Sequence, residues 1–225
     1  MDVLAEYFPN LAERVPEFIK SIGDTLRMTV ISGIFIFIAG LVIGVLLITT
    51  KGGGILENKP VYHIFDKLIN ALRSIPFIIL ISLLLPLTRA IVHTSIGVKG
   101  AIVPLVIGTV PFFSRQVEAS LAQIDDGVIE AAKSMGMHPV NVIFKVYLRE
   151  GIPGLARATT ITAINLIGLT AMAGAVGAGG LGDFAIRYGH NRYMTDITIV
   201  TTAVLIVIVC LIQLTGSFIA RRFTH

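Results

Sequence analysis

Long uncharged runs divide the chain. Residues 28–50, 158–182 and 197–220 contain no Asp, Glu, Lys or Arg over 23, 25 and 24 positions. The hydrocarbon core of a bilayer is about 30 Å thick and needs about 20 helical residues at 1.5 Å rise each, so every one of these runs predicts a membrane-crossing helix. Two shorter runs, 74–88 and 100–114, have 15 residues apiece. They cross only if flanking turns join them and the bordering Arg and Lys side chains snorkel to the headgroups. Both are read as crossings, which makes five. Pro76, Pro86, Pro104 and Pro111 fall in these two segments. Proline inside a spanning helix is tolerated where neighbours satisfy the freed carbonyl, so kinked helices buried in a bundle are predicted.

Composition agrees with the pattern: 54% of the residues are hydrophobic and 14% charged, against roughly 25% charged in an ordinary globular chain. Five crossings put the termini on opposite sides. With the N-terminus outside, the inner segments hold eleven of the eighteen Lys and Arg residues, so the basic-loop bias predicts N-out and C-in. Asp2, Glu6, Glu13, Glu17 and Asp24 outnumber Arg14, Lys20 and Arg27 at the start of the chain, the reverse of a basic signal-peptide leader. No cleaved signal is expected. Residues 1–25 are therefore read as an extracytoplasmic segment and residues 26–222 as the membrane domain.

The net charge of +4 is accounted for by basic inner loops, and no basic patch interleaved with aromatics suggests nucleic acid. Cys210 is alone in the last apolar run, which excludes a disulfide framework and a zinc site; it is expected to pack as a small hydrophobe. His63, His93, His138, His190 and His225 are scattered over loops and ends. No metal site and no cofactor are expected.

The stretch "GAVGAGGLGDF", residues 174–184, contains Gly177, Gly179 and Gly182 in the G-x-G-x-x-G spacing of a dinucleotide loop. That fingerprint requires a buried strand before it, a helix after it and an acid about 20 residues on. Here the glycines close a 25-residue uncharged run, and the next acid is the adjacent Asp183. The cofactor reading fails on context. Two readings remain: close packing of helices through small residues, and irregular backbone where a helix breaks beside a cavity. In the second, Met172 and Val176 are the bulky groups among residues too small to fill space, with Met172 as an apolar gate. Asn165 and Gln213 are polar within spanning runs and are expected to hydrogen-bond between helices, since such groups are costly unpaired in lipid. Asn165 is also a candidate for the pathway lining.

The longest hydrophilic loop, residues 125–150, predicts two helices. Asp126 suits an N-cap, Glu130 favours the dipole, and Gly136 can adopt the left-handed conformation that ends a helix. This gives a helix over about 127–135 with Val128, Ala131, Ala132 and Met135 on one small apolar face. His138 and Pro139 start a second helix, in which Val140, Ile143, Phe144 and Tyr147 recur on one face. Such a short helix suits either a loop lying on the headgroups or helix-in-groove contact with a cytoplasmic partner.

"EAAKSMG", followed by Val146 and Leu148, resembles the E-A-A, G, I-x-L-P signature of the permease subunits of bacterial ABC importers, with Glu130, Ala131, Ala132 and Gly136 at the family's spacing. Arg149 stands where that family usually has proline, which predicts a second helix that runs on. "RSIPFIIL", "PLTRAIVHTSIG", "PFFSRQVEASL", "PGLARATTITAI" and "AMAGAVGAGGLGDF" narrow the resemblance to the methionine-importer permeases. The resemblance implies an all-α polytopic membrane protein of the type I ABC importer permease kind: five transmembrane helices and a cytoplasmic coupling helix. It further implies a homodimer in the bacterial inner membrane, paired with two copies of a separate ATPase. Methionine, D or L, or a close analogue would arrive from a lipid-anchored binding protein. Val128, Glu130, Ala131, Ala132, Met135 and Gly136 would then contact the ATPase.

The chain holds no G-x-x-x-x-G-K-[ST], so nucleotide hydrolysis is not expected of it. A permease for another small amino acid or solute is the near alternative. A secondary transporter is the farther one, but it would usually carry an acid within a spanning helix, and the five uncharged runs have none. A membrane enzyme would need a constellation such as H-E-x-x-H or G-x-S-x-G, and neither occurs.

Overall fold

Helix α1, Pro9–Ala12, precedes α2, Val15–Thr50, a 36-residue rod that at 1.5 Å rise extends well past a bilayer core of about 30 Å. The computed structural model describes residues 7–223, and no β-strand occurs among them. Residues 1–6 of the segment expected outside the membrane, and His225, lie beyond the described residues. The boundary expected between residues 25 and 26 falls inside α2. The first apolar run is thus the C-terminal part of a helix that begins thirteen residues earlier, at Val15 rather than Met28.

Asn58 caps α3, Lys59–Ser74, by accepting a hydrogen bond from the Val61 N–H at 3.3 Å. The helix stops because Ile75 precedes Pro76, and a residue in that position is driven out of the α region; its ψ is 122°. Helix α4, Phe77–Val92, follows with Pro76 as its N-cap and Pro86 inside it. Pro76 therefore separates two helices and does not kink one. Helix α5, Gly97–Leu121, takes in Pro104 and Pro111. Four helices are each long and apolar enough to cross a membrane: α2, α5, the helix opening at Ile152 and the one opening at Thr195. The 16-residue α4 qualifies only together with α3, across a bend of 110°, so the expected five crossings stand at four straight ones and a fifth only where the bent pair counts as one span.

After α5 come α6, Asp126–Ser134, and α7, Pro139–Val142. A π-helical turn, Ile143–Tyr147, carries α7 into α8, Leu148–Glu150. Gly151 keeps helical dihedrals (φ −75°, ψ −8°) and leads into α9, Ile152–Ala173, so the backbone runs on past Arg149 as expected. A second π turn, Gly174–Ala178, precedes α10, Gly180–Phe184, and a third, Ala185–His190, leads to α11, Thr195–Arg222.

The chain divides into two compact units. The first comprises the residues up to Ile34, Pro76–Ile107 and Ala163–Ile212. Its core gathers Leu11, Phe184, Tyr188 and Ile197, with Phe8, Phe18, Met194 and Val200 packed around them. Asp196 anchors α1 there: its carboxylate accepts from the Asn10 N–H and Nδ2–H, each at 3.0 Å, and from the Leu11 N–H. The Tyr188 hydroxyl donates to Glu17 at 2.5 Å, and the Arg14 and Arg192 guanidiniums lie 4.7 and 4.9 Å from the centre of its ring. The N-terminal segment is thereby tied down from Phe8 onward.

The second unit comprises Phe35–Ile75, Gly108–Thr162 and the residues from Gln213. Its close contacts are made at glycines. A Cβ at Gly40 would fall 2.5 Å from the Phe113 ring, one at Gly44 2.5 Å from Val117 and 2.8 Å from the Ser114 carbonyl, and one at Gly216 1.8 Å from the Thr160 hydroxyl. Gly40 and Gly44 form a G-x-x-x-G face that lets α2 approach α5 closely, the packing expected where lipid supplies no hydrophobic drive between helices. Cys210, expected to pack, is exposed on α11. Asn165 and Gln213 are likewise exposed and make no hydrogen bond to another helix among the described residues, which corrects the expectation of interhelical glue.

Candidate functional site

Helix α6, in the second unit, is closed at both ends by its own groups. Its N-cap is Asp125, whose Oδ1 accepts from the Gly127 N–H at 2.7 Å. Asp126, expected to cap, is the first helical residue instead. A carboxylate one position earlier reaches the unpaired N–H two residues on, while Asp126 still adds charge favourable to the helix dipole. At the other end Gly136 has φ +73°. The Gly136 N–H donates to the Lys133 carbonyl at 2.9 Å and the Met137 N–H to the Ala132 carbonyl at 3.1 Å, the paired bonds of a Schellman ending.

Two faces of α6 differ. Ile129 and Ala132 are buried, while Val128, Glu130, Ala131, Met135 and Gly136 are exposed, Met135 at 74%. Ala132 therefore belongs to the packed side and not to the outer face on which the sequence placed it. Two clefts flank the helix. One of about 290 Å³ lies against the Lys51–Gly54 loop and is lined by Asp126, Glu130, Lys133 and Tyr147. The other, about 350 Å³, is lined by Asp125, Val128, Glu150, Arg157 and Phe223. The helix thus stands up between hollows.

Its support is rigid. His138 caps α7 by accepting from the Val140 N–H through Nδ1, and Pro139 occupies the first turn, as expected. The buried positions are Val142, Val146 and Tyr147, whereas Val140 and Phe144 are exposed. The face predicted at Val140, Ile143, Phe144 and Tyr147 is split because the π turn inserts a residue and breaks the 3.6 period on which the expectation rested. Burial, together with the nearby Asp126 carboxylate, pushes the Tyr147 phenol above its ordinary pKa, so it stays neutral. Where α9 begins, a Cβ at Gly151 would meet Leu121 at 2.5 Å, and the Ser120 hydroxyl shares its proton between the Gln116 carbonyl at 2.7 Å and the Gly154 carbonyl at 3.2 Å. The end of α5 and the start of α9 are locked together beside α6.

A charge cluster braces the same unit. The Arg115 guanidinium on α5 pairs with Asp66 on α3 and with Glu118 at 2.7 Å, and the Tyr62 hydroxyl reaches Glu118 at 3.5 Å. Sequence reading found neither this cluster nor the Gly40–Gly44 face, although "GLVIG" was visible as a G-x-x-x-G.

In the first unit, Asn165, Met172 and Val176 are all exposed, the latter two at 41% and 43%. The glycine stretch after them turns the chain back on itself. Val176 (φ −108°, ψ 21°) and Gly177 (φ +93°) leave the helix, and Gly179 and Gly180 also have positive φ. A Cβ at Gly182 would lie 2.3 Å from the Ala171 carbonyl, and one at Gly174 2.4 Å from the Asp183 nitrogen, so α10 and the end of α9 touch backbone to backbone. The close packing and the irregular backbone are thus both present in this stretch, which opens no strand-to-helix phosphate loop.

Comparison with known proteins gives one consistent answer. The family model described as binding-protein-dependent transport system inner membrane component matches residues 36–225. A Vibrio cholerae protein, the probable D-methionine transport system permease protein MetI, is 46% identical over 202 residues, covering 90% of each chain. The methionine import system permease protein MetP of Bacillus subtilis is 45% identical over 216 residues, 96% of each. Among solved structures, an inward-facing form of the MetNI methionine ABC transporter superposes with TM-score 0.92 at 44% identity, covering 95% of this chain and 99% of that one.

Proposed function

This chain belongs to the family of binding-protein-dependent transport system inner membrane components, and from that premise we propose that it is the membrane permease of an ATP-driven methionine importer. ATP hydrolysis falls to a separate subunit, two copies of which engage two copies of this chain, and an extracytoplasmic methionine-binding lipoprotein delivers the substrate. The N-terminus lies outside, α6 and the C-terminus inside. Residues 26–222 carry the transport function, with 125–150 as the coupling loop.

In this reading the exposed side of α6, Val128, Glu130, Ala131 and Met135, seats in a groove of the ATPase, and Gly136 fixes the direction in which the helix leaves it. Ala132 holds the helix to the bundle. ATP draws two such grooves together and carries both helices with them. Because only the short turn 135–138 separates α6 from α7, and helical backbone runs from α7 into α9, movement at the helix becomes movement of spanning segments. A ligand shifts an equilibrium only by its differential affinity for the two states, so ATP and the loaded binding protein each favour the outward-facing arrangement. Met172, Val176 and Asn165 border the pathway.

The observation that carries this reading is a rod capped at both ends, buried along Ile129 and Ala132 and bare along Val128 and Met135. The test is uptake by proteoliposomes holding this chain with its ATPase and binding protein. Methionine accumulation that requires ATP supports the importer, whereas uptake by the chain alone, without ATP, overturns it.

A further inference from the structure

Thr88 on α4 is 1% exposed, and its hydroxyl has no hydrogen-bond partner. A buried hydroxyl without a partner is costly, so a ligand that pairs with it would gain by doing so. Thr88 lines a cavity of about 90 Å³ in the first unit, walled by α4, α5 and the end of α9. Two prolines free carbonyls on residues that line the same cavity. Pro86 has no N–H to give the Ser82 carbonyl, and Pro104 none to give the Gly100 carbonyl, so each of these loses its donor within the helix. Ser82 and Gly100 both line the cavity. Ser95, also in the lining, accepts from the Arg89 Nε–H at 3.1 Å, which sets the guanidinium beside the cavity, and Arg89 makes no ion pair among the described residues. Ile81, Leu85 and Val176 form the apolar wall.

The polar lining is therefore acceptor-rich and free of carboxylates, with one cation at its edge. An ammonium group brings three donors and no acceptor, which fits the Thr88 hydroxyl and the Ser82 and Gly100 carbonyls. A carboxylate on the same carbon would find Arg89. At roughly 30 Å³ per water, the space of about 90 Å³ suits a head group, leaving a long apolar side chain to lie along Val176.

We infer that this cavity is the permease's own recognition subsite for the α-amino end of its substrate, read by the Thr88 hydroxyl and the proline-freed carbonyls of Ser82 and Gly100, with Arg89 taking the carboxylate. The inference rests on the reading of the chain as an amino-acid permease and places selection inside the membrane protein as well as in the delivering one.

The test is competition against radiolabelled methionine bound to the full chain in nanodiscs, with unlabelled methionine and with 4-(methylthio)butanoate, which lacks only the ammonium. Wild type is expected to prefer methionine by about tenfold or more, as for a hydrogen bond to a charged group. Thr88→Val is expected to lose that preference and Thr88→Ser to keep it. No saturable methionine binding, no preference in wild type, or full preference in Thr88→Val overturns the inference. These results are separable from failure of the importer reading, because wild-type assemblies that accumulate methionine with ATP uphold that reading whatever Thr88 does.

Discussion

The backbone N–H of Leu181 donates to the Thr25 hydroxyl at 2.8 Å, 156 residues away in the chain, and both groups are buried. This bond joins the glycine turn after α9 to the first spanning helix, next to Gly180, where a Cβ would fall 2.7 Å from the same hydroxyl oxygen. Thr25→Val keeps the shape and leaves a buried N–H unpaired, which costs about 1–3 kcal/mol. Thermal unfolding of the detergent-solubilised chain is expected to show that loss in Thr25→Val and near-complete recovery in Thr25→Ser.

Close approach at Gly44 gives a second expectation. Gly44→Ala forces a Cβ to within 2.5 Å of Val117 and 2.8 Å of the Ser114 carbonyl, an overpacking that costs about 1–3 kcal/mol. Adding Val117→Ala removes only the Cγ1 contact and leaves the residue-117 Cβ at 2.5 Å and the Ser114 carbonyl at 2.8 Å, so the double variant should regain little of the loss. Gly23 on the same helix has nothing within 4 Å of an added Cβ. Gly23→Ala should be neutral or stabilising by up to about 1 kcal/mol.

Much of this was legible in the sequence. Uncharged runs located the long helices, and the Asp, Gly and Pro signals located α6 and α7 to within a residue or two, because lipid and capping act locally on residue type. What escaped was set by tertiary contact. Ala132 and Ala131 are identical by composition, and only packing decides which is buried. The π turn at Ile143–Tyr147 leaves no signal in a period count, so the face of the second loop helix came out split. Asp66 is 49 residues from Arg115, and their pairing needs the fold of α3 against α5, whereas the Arg115–Glu118 pair at i,i+3 was open to a reading of one helix face. Thr88 drew no notice because a hydroxyl in an apolar run is ordinary until it is seen without a partner.

The Arg115 cluster predicts a different dependence. Its side chain is 19% exposed, and those of Asp66 and Glu118 are 27% and 14% exposed. The cluster thus lies between surface pairs worth about 0–1 kcal/mol and buried pairs whose breaking costs about 3–5. Arg115→Met, which strands two carboxylates, should cost about 1–3 kcal/mol, and Asp66→Asn added to it should recover part. Arg115→Lys should do worse than its charge suggests, because an ammonium cannot fork to two acceptors. Thermal melts of the four proteins check this.

The loop before α3 should respond to acid. Glu57 accepts from the Gly53 N–H at 2.9 Å and lies 3.4 Å from Lys59, and these hold its carboxyl below the ordinary value of 4.5. A depressed pKa contributes stability that is present above the ordinary value and is lost as pH falls through the lowered one. Amide exchange at Gly53 should therefore stay protected at neutral pH and lose protection below about 4.5. In Glu57→Gln the protection should be weaker throughout and flat with pH.

The two faces of α6 separate folding from coupling. Met135 is 74% exposed and Ala132 is 3% exposed, one turn apart on the same helix. Met135→Glu adds charge where no neighbour in the chain is disturbed, so the melting temperature should stay put while co-purification with the ATPase and ATP-driven uptake fall together. Ala132→Glu buries an unpaired carboxylate, and the chain itself should unfold or fail to accumulate. Gly136→Val lies between them: its φ of +73° costs a β-branched residue about 1–2 kcal/mol, loosening the Schellman ending while the bundle stays folded. A melt that is normal in Met135→Glu with uptake also normal would count against α6 as the transmission path, since Met135 is the more exposed of the two large apolar side chains on that face, at 74% against 45% for Val128.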